Sequence, residues 1–311
     1  MLLANASASS VTPRIRVAVH EVLAAEHEVT LAETSRRGHA TKLAQGAAFD
    51  GYDAVIVLGG DGTVNEAANG LAGSSTALGL LPGGSTNVFA RTIGFTNDPV
   101  RAAGELRAAL RDPAQSFRRI GLGCANGRYY LFHCGMGFDA AVVRQVERRG
   151  SLKRFAGHPL FVYAALATWF RHYDRNRPHF DLMLGSDTSR AVDGVYLALA
   201  LKTNPYTFLA DRPLNVAPEA GLNTGLSVVA FQTLALRAVL GVVVATLTNR
   251  GGPPLGRRRN VAYASGLTEL TARSESPFPY QLDGDYLGEV TQLELRYQPD
   301  VLRLVVALPP G

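Results

Sequence analysis

No stretch of this chain reaches eighteen uncharged apolar residues, and that absence excludes an ordinary membrane-spanning helix. Cysteine is scarce: Cys124 and Cys134 are the only two, too few for a disulfide scaffold. They flank Asn126-Gly127, a strong two-residue hairpin signal that sets Cys124 opposite Tyr129 rather than opposite Cys134. Reduced thiols and the lack of a signal-peptide pattern set the expectation of a cytoplasmic protein, peripheral at the inner membrane face if it meets a membrane. Internal repeats and low-complexity tracts are also missing. Two phosphate-binding patterns are incomplete. GLLPGGST (79–86) nearly spells a P-loop, but Ser85 stands where the lysine belongs. GDGTVN (60–65) starts like a dinucleotide fingerprint and ends in Asn65 where its third glycine belongs.

What is present fits a globular protein with two cores: 311 residues, 47% apolar and 18% charged. The net charge of +5 is scattered apart from clusters such as Arg148-Arg149 and Arg257-Arg258-Arg259. That argues weakly for nucleic acid, so no nucleic-acid partner is expected, and more for anionic phosphates or an anionic membrane surface. Two apolar segments are too short to span: 159–170, and 238–248 between Arg237 and Arg250. Each reads either as a buried core helix or as a surface that touches lipid.

Periodicity divides the chain. Residues 1–118 alternate short apolar runs with helical patterns, which predicts an α/β domain with a mostly parallel sheet. Residues 119–297 hold paired strands such as GVYLALAL, GLSVVAF and QLELRY, which predict a β-rich antiparallel domain. The last strand, about 298–311, is a candidate to return to the first domain.

VIVLGGDGTVNEAANGL (55–71) carries the chemistry. A buried strand ends on Gly59, Gly60, Asp61 and Gly62, and the three glycines permit a sharp turn and let an anion approach the main-chain amides. Thr63 and Glu66 are spaced as a capping box, and Val64, Ala67, Ala68 and Leu71 recur at helical spacing. The helix start favours a phosphate, with Asp61 managing its Mg²⁺ or a proton; the plainer reading is a strand-to-helix turn with Asp61 as cap. One strand later LPGGSTNVFAR (81–91) forms a second glycine-rich loop, and such loops at the carboxyl ends of neighbouring strands are where open α/β sheets bind ligands. Far downstream, Asp283 and Asp285 bracket Gly284 in LDGD, so that both carboxylates could meet one site or form an exposed type I′ turn.

GGDGTVNEAANGL with LPGGSTNVFAR and LDGD resembles the diacylglycerol kinase catalytic family, which includes bacterial soluble lipid kinases and sphingosine kinases. FHCGMGFDAAV (132–142) and LKRFAGHPLFVYAAL (152–166) look like its second-domain segments. The resemblance implies a nucleotide-binding domain at 1–118, a lipid-substrate domain at 119–297, ATP in the cleft between them and transfer of its γ-phosphoryl group to a lipid hydroxyl, most simply diacylglycerol giving phosphatidic acid. It implies nucleotide contacts at Asn5, Thr34, Gly59, Gly60, Asp61, Gly62, Thr63, Asn65, Glu66, Gly84, Ser85, Thr86 and Asn87. Asn5 lacks the proline and glycine that accompany it in the family. Asp285 stands where relatives carry the general base, usually glutamate, with Asp61 and Asp283 as further catalytic carboxylates and Asp61 on the ATP-bound Mg²⁺. Arg36 and Arg91 are candidates for charge neutralisation, against a merely solvated or salt-bridged role. Many bacterial members place an aspartate near a structural Mg²⁺ where this chain has Thr224, preceded by Asn223. The implied partner is a lipid presented by a membrane surface, with a homodimer as a candidate assembly. Alternatives are a sphingoid base or glycolipid acceptor, a small-molecule kinase of the NAD kinase type, and a catalytically silent binding protein.

Overall fold

The computed structural model describes residues 1–148, 164–165, 167–185, 190–209, 211–248 and 251–308. They form two compact units, one of residues 1–121 with 299–311 and one of residues 122–298.

The first unit contains β1 (Leu2–Ala4), α1 (Pro13–Ala24), β2 (Leu31–Glu33), α2 (His39–Phe49), β3 (Ala54–Gly59), α3 (Asp61–Leu71), β4 (Ala77–Pro82), α4 (Val88–Thr92), α5 (Pro99–Arg111) and α6 (Pro113–Ser116). Its strands pair in parallel, β2 on β1, β1 on β3 and β3 on β4. The distal end of the last strand, β16 (Asp285–Val305), lies parallel to β4 through Arg303 and Leu304. Val55, Val57, Leu58, Leu78, Leu80 and Leu81 are buried, as expected for parallel strands covered on both faces. Small residues bring α2 and α3 close: a Cβ on Gly70 would meet Thr41 O at 2.5 Å and Ala44 Cβ at 2.9 Å. Thr12, with Pro13 at the first helical position, and Asp98, with Pro99, cap α1 and α5 with their side chains.

The second unit contains β5 (Phe117–Ala125), whose first residues belong to the other unit, then β6 (Arg128–Tyr130), β7 (His133–Gly137) and α7 (Phe138–Glu147). A π-helical turn (Thr168–His172) follows, with β8 (Phe180–Leu184), β9 (Ala191–Val195), β10 (Leu197–Leu201), β11 (Phe208–Leu209), β12 (Arg212–Pro213) and β13 (Leu226–Phe231). The chain continues through α8 (Leu236–Leu247), α9 (Pro253–Gly256), β14 (Val261–Leu267), β15 (Glu269–Leu282) and β16. The central order is β14-β13-β10-β7-β15-β16, antiparallel at each step. Alternate residues of β10 and β13 enter two different cores: Ala198, Ala200 and Val228 one, Leu197, Leu199, Val229 and Phe231 the other. That double burial is why LALAL and LSVVAF are apolar without alternation. Asn126 and Gly127 (φ 45° and 86°) turn the β5–β6 hairpin, with Cys124 opposite Tyr129 and both cysteines free.

Among the described residues no helix is long and apolar enough to cross a membrane. The segment 159–170 lies largely outside the described residues. The segment 238–248 lies in α8 and its C-cap, and it meets both of its alternatives halfway. Val242, Ala245 and Thr246 are buried, whereas Leu240, Val243 and Val244 are exposed.

Candidate active site

The carboxyl ends of the parallel strands gather the amino-terminal candidates. Asn5 follows β1, Thr34 follows β2, Gly59 ends β3 with Gly60 after it, and Gly83 to Asn87 follow β4. Asn5 donates through Nδ2 to Thr63 Oγ1 at 2.8 Å, which ties the end of β1 to the first turn of α3. Thr34 N–H donates to Ala4 O at 3.0 Å, and Gly83 N–H donates to Gly59 O at 2.9 Å.

The two glycine loops lie directly against one another. A Cβ on Gly83 would come within 2.8 Å of the Gly59 backbone, and one on Gly84 within 2.8 Å of Gly60 Cα. Gly60 has φ −88° and ψ 175°, ordinary extended backbone. At Gly83 and Gly84 the glycine is needed for contact between the loops, and the sharp-turn reason expected for the β3 loop does not hold at Gly60. Gly60 is the more open position, since its Cβ would meet Gly84 Cα at 3.4 Å. Ser85 is exposed while Gly84 and Thr86 are half-buried, so this tip of the loop reaches solvent. At the start of α3, Thr63 N–H and Val64 N–H donate to Gly60 O at 3.0 and 3.2 Å, and the helix dipole favours an anion there.

Three expected roles change. The Thr63–Glu66 capping box does not form: α3 begins at Asp61 with Gly60 as its N-cap. Glu66 instead accepts from Gly38 N–H at 2.7 Å and Ala40 N–H at 3.2 Å, capping α2. Asp61 does not present a free carboxylate to a metal. Its Oδ2 accepts Val88 N–H at 3.0 Å and its Oδ1 accepts Phe89 N–H at 3.1 Å, so it caps α4 across the loops. Among the described residues no group of three His, Cys, Asp or Glu could hold a metal ion. Asn87, at φ 50°, closes the second loop on itself. Its Oδ1 accepts Gly84 N–H at 2.8 Å and its Nδ2 donates to Gly84 O at 2.9 Å. Asn65 is buried within α3 and accepts from Asn69 Nδ2 through its main-chain oxygen.

The third changed role is that of Asp283, in the second unit. Asp283 and Gly284 have φ 50° and 83°, forming the tight turn between β15 and β16. The two acids diverge. Asp283 is 4% exposed; its Oδ2 accepts Leu131 N–H at 2.7 Å, and its Oδ1 accepts Phe132 N–H and His133 N–H at 3.0 Å each. Three amides absorb its charge, which makes it an organiser of the backbone entering β7 rather than a catalytic acid. Asp285 remains partly exposed, with Arg128 Nη2 at 3.4 Å from its Oδ2.

Sequence reasoning gave no role to the groups that support this turn. Tyr206 O–H donates to Asp139 Oδ1 at 2.5 Å, Gln281 Nε2 donates to Asp139 Oδ2 at 2.7 Å, and Gly284 N–H donates to Gln281 Oε1 at 2.8 Å. Burial, with Asp139 beside it, pushes the Tyr206 hydroxyl pKa well up, so it stays a donor. His133 lies against Tyr206 with ring centroids 4.6 Å apart and planes tilted by 57°, and burial lowers its pKa to about 4. Arg128 carried no signal beyond its charge.

The turn at Gly221–Gly225 does not fit the structural Mg²⁺ of the resembled family. Lys202, 1% exposed, donates through Nζ to Gly221 O at 2.6 Å and Leu222 O at 3.0 Å, so a cation at these carbonyls would have to displace an ammonium. Thr224 Oγ1 accepts Gly221 N–H at 2.8 Å.

An α/β unit with two stacked glycine loops at the ends of parallel strands, in one chain with an antiparallel unit, is the class these observations define. Residues 1–118 match the family described as the diacylglycerol kinase catalytic domain. The chain is 34% identical over 193 residues to the "Probable lipid kinase YegS-like" of Chromohalobacter salexigens, a match covering 57% of this chain and 60% of that relative. A diacylglycerol kinase structure from Bacillus anthracis shares the fold with a TM-score of 0.68 at 16% identity, covering 98% of this chain and 95% of that one. An Archaeoglobus fulgidus NAD kinase solved in complex with ATP shares it at TM-score 0.50 and 9% identity, covering 98% and 93%. At those identities the two structures speak to fold alone.

Proposed function

We propose that the protein is an ATP-dependent lipid kinase that moves the γ-phosphoryl group of ATP to a lipid hydroxyl, with diacylglycerol as acceptor and phosphatidic acid as product. The observation that carries this reading is the stacked pair of glycine loops, Gly59–Gly62 and Gly83–Asn87, within the segment that matches the diacylglycerol kinase catalytic domain. The first amides of α3 and the Ser85 and Thr86 hydroxyls hold the phosphates; Asn5 and Thr34 stand at the neighbouring strand ends. Asp61 holds the second loop in place by capping α4. Mg²⁺ travels with the nucleotide and supplies charge neutralisation when bound. Asp285 accepts the proton of the acceptor hydroxyl as that oxygen attacks the γ-phosphorus and ADP leaves. Arg128, with Nη2 at 3.4 Å from Oδ2, holds the carboxylate in place.

Asp285→Asn tests the assignment. Turnover of ATP with diacylglycerol in mixed micelles falls by about two to four orders of magnitude, with nucleotide affinity unchanged. A variant that keeps more than about a tenth of normal turnover removes Asp285 from the mechanism.

A further inference from the structure

Between Glu219 and Glu269 the chain contains no acidic residue, yet it contains Arg237, Arg250, Arg257, Arg258 and Arg259. Helix α8 lies inside this stretch. One face, Val242 and Ala245, packs into the core with Leu234, Leu255 and Val261. The opposite face leaves apolar side chains in solvent: Leu236 is 52% exposed, Leu240 52%, Val243 38% and Val244 59%. The spacing i, i+4, i+7, i+8 is that of one helical stripe, not scattered surface leucines. These four are half of the exposed large hydrophobic side chains of the described protein.

Arginine borders the stripe. Arg237 is exposed one residue after Leu236. Arg258 reaches back to the helix, where a Cβ on Gly241 would come within 2.8 Å of its Nη1. Positions 237 and 241 are one turn apart, so both cations flank one edge of the stripe. Arg257 and Arg259 are exposed beside Arg258. A protein partner would satisfy the apolar stripe but gives no reason for a long acid-free border of arginines. An anionic bilayer satisfies both, with side chains entering the acyl boundary and guanidinium groups meeting phosphates.

We infer that the Leu236–Leu240–Val243–Val244 face of α8, with Arg237 and Arg257–Arg259, is the surface by which this protein docks on anionic membrane. The inference extends the lipid-kinase reading by naming how the enzyme reaches its bilayer, and it is tested independently of catalysis.

The assay is sedimentation of the full chain with phosphatidylcholine vesicles, with and without phosphatidylglycerol, at low and physiological salt. Wild type partitions onto the anionic vesicles, and the partition weakens as salt rises. Leu240→Glu/Val244→Glu lowers that partition about tenfold or more. Arg257→Glu/Arg259→Glu lowers it at least about fivefold per residue. Both variants melt with wild type, because the substituted side chains are exposed. Equal vesicle binding by variant and wild type overturns the inference, as does a far lower melting point for Leu240→Glu/Val244→Glu. Self-association that the double glutamate variant abolishes, without vesicle binding by wild type, also overturns it and makes the face a contact between copies. Phosphorylation of a short-chain, monomeric diacylglycerol separates the two readings. Its failure with vesicle binding intact sinks the kinase reading alone, and its success with vesicle binding absent sinks the docking surface alone.

Discussion

Replacing Asp283 with alanine separates structure from chemistry at the LDGD turn. The carboxylate is buried and its two oxygens take three main-chain N–H groups, those of Leu131, Phe132 and His133. Each hydrogen bond to a charged group contributes about 1.5–3 kcal/mol, and stranding a buried donor costs a similar amount. Partial relaxation and entry of water reduce the sum, so about 3–5 kcal/mol is expected for Asp283→Ala. In a unit of this size each kcal/mol moves the melting point by about 2–4 °C, giving a fall of about 6–20 °C. Asp283→Asn costs about half as much. Its amide oxygen can replace Oδ1 for Phe132 and His133, but its NH₂ then confronts the Leu131 N–H. Melting curves and turnover well below each melting point supply the readout. Asp283→Asn keeps substantial turnover per folded molecule, while Asp285→Asn melts like wild type and loses turnover. An Asp283→Ala variant that melts within about 2 °C of wild type yet has lost activity refutes the reasoning, since that spacing is less than one hydrogen bond's effect.

Three further outcomes follow from the geometry. Gly60→Ala leaves the melting point unchanged but weakens ATP binding, whereas Gly84→Ala also destabilises, because its Cβ would press within 2.8 Å of Gly60 Cα; calorimetry of both variants checks this. His133 has a folded pKa of about 4 against an ordinary 6.5, so the unfolded chain binds the extra proton between those values. Stability is complete above pH 6.5 and falls by about 3 kcal/mol as pH drops to 4, a dependence that urea titrations should find reduced in His133→Phe. Burial lowers the Lys202 pKa from 10.5 to about 8, which makes the wild type more stable as pH rises from 8 to 10.5; chelators leave its melting point unchanged, and Lys202→Met lowers it by several degrees without rescue by Mg²⁺.

The parallel strands that build the first unit were legible because a strand buried on both faces must read as a short apolar run, as DAVIVL and ALGLLP do. Helix α1 was not, since only Val19 and Leu23 of its twelve residues are buried and its amphipathic signal is weak. The β1 strand, three residues long, carries too little pattern to read. Among site residues, the two glycine loops were visible as motifs, but the reason for Gly84 was not, because the atom it must avoid belongs to the other loop. Glu66 and Asp283 were misread for the same cause. Local spacing suggested a capping box and a paired acid site, while the amides each one serves lie 26 to 28 and 150 to 152 residues away. The ammonium of Lys202 inside the Gly221–Leu222 turn likewise depends on two strands meeting, which no local pattern encodes.

The central claim is tested most directly by offering the full chain γ-labelled ATP with diacylglycerol in mixed micelles, and in a parallel reaction with NAD. The account predicts label in the organic phase as phosphatidic acid, lost in Asp285→Asn, and none in NADP. Label in NADP with none in any lipid would contradict it and assign the glycine loops to a small-molecule kinase.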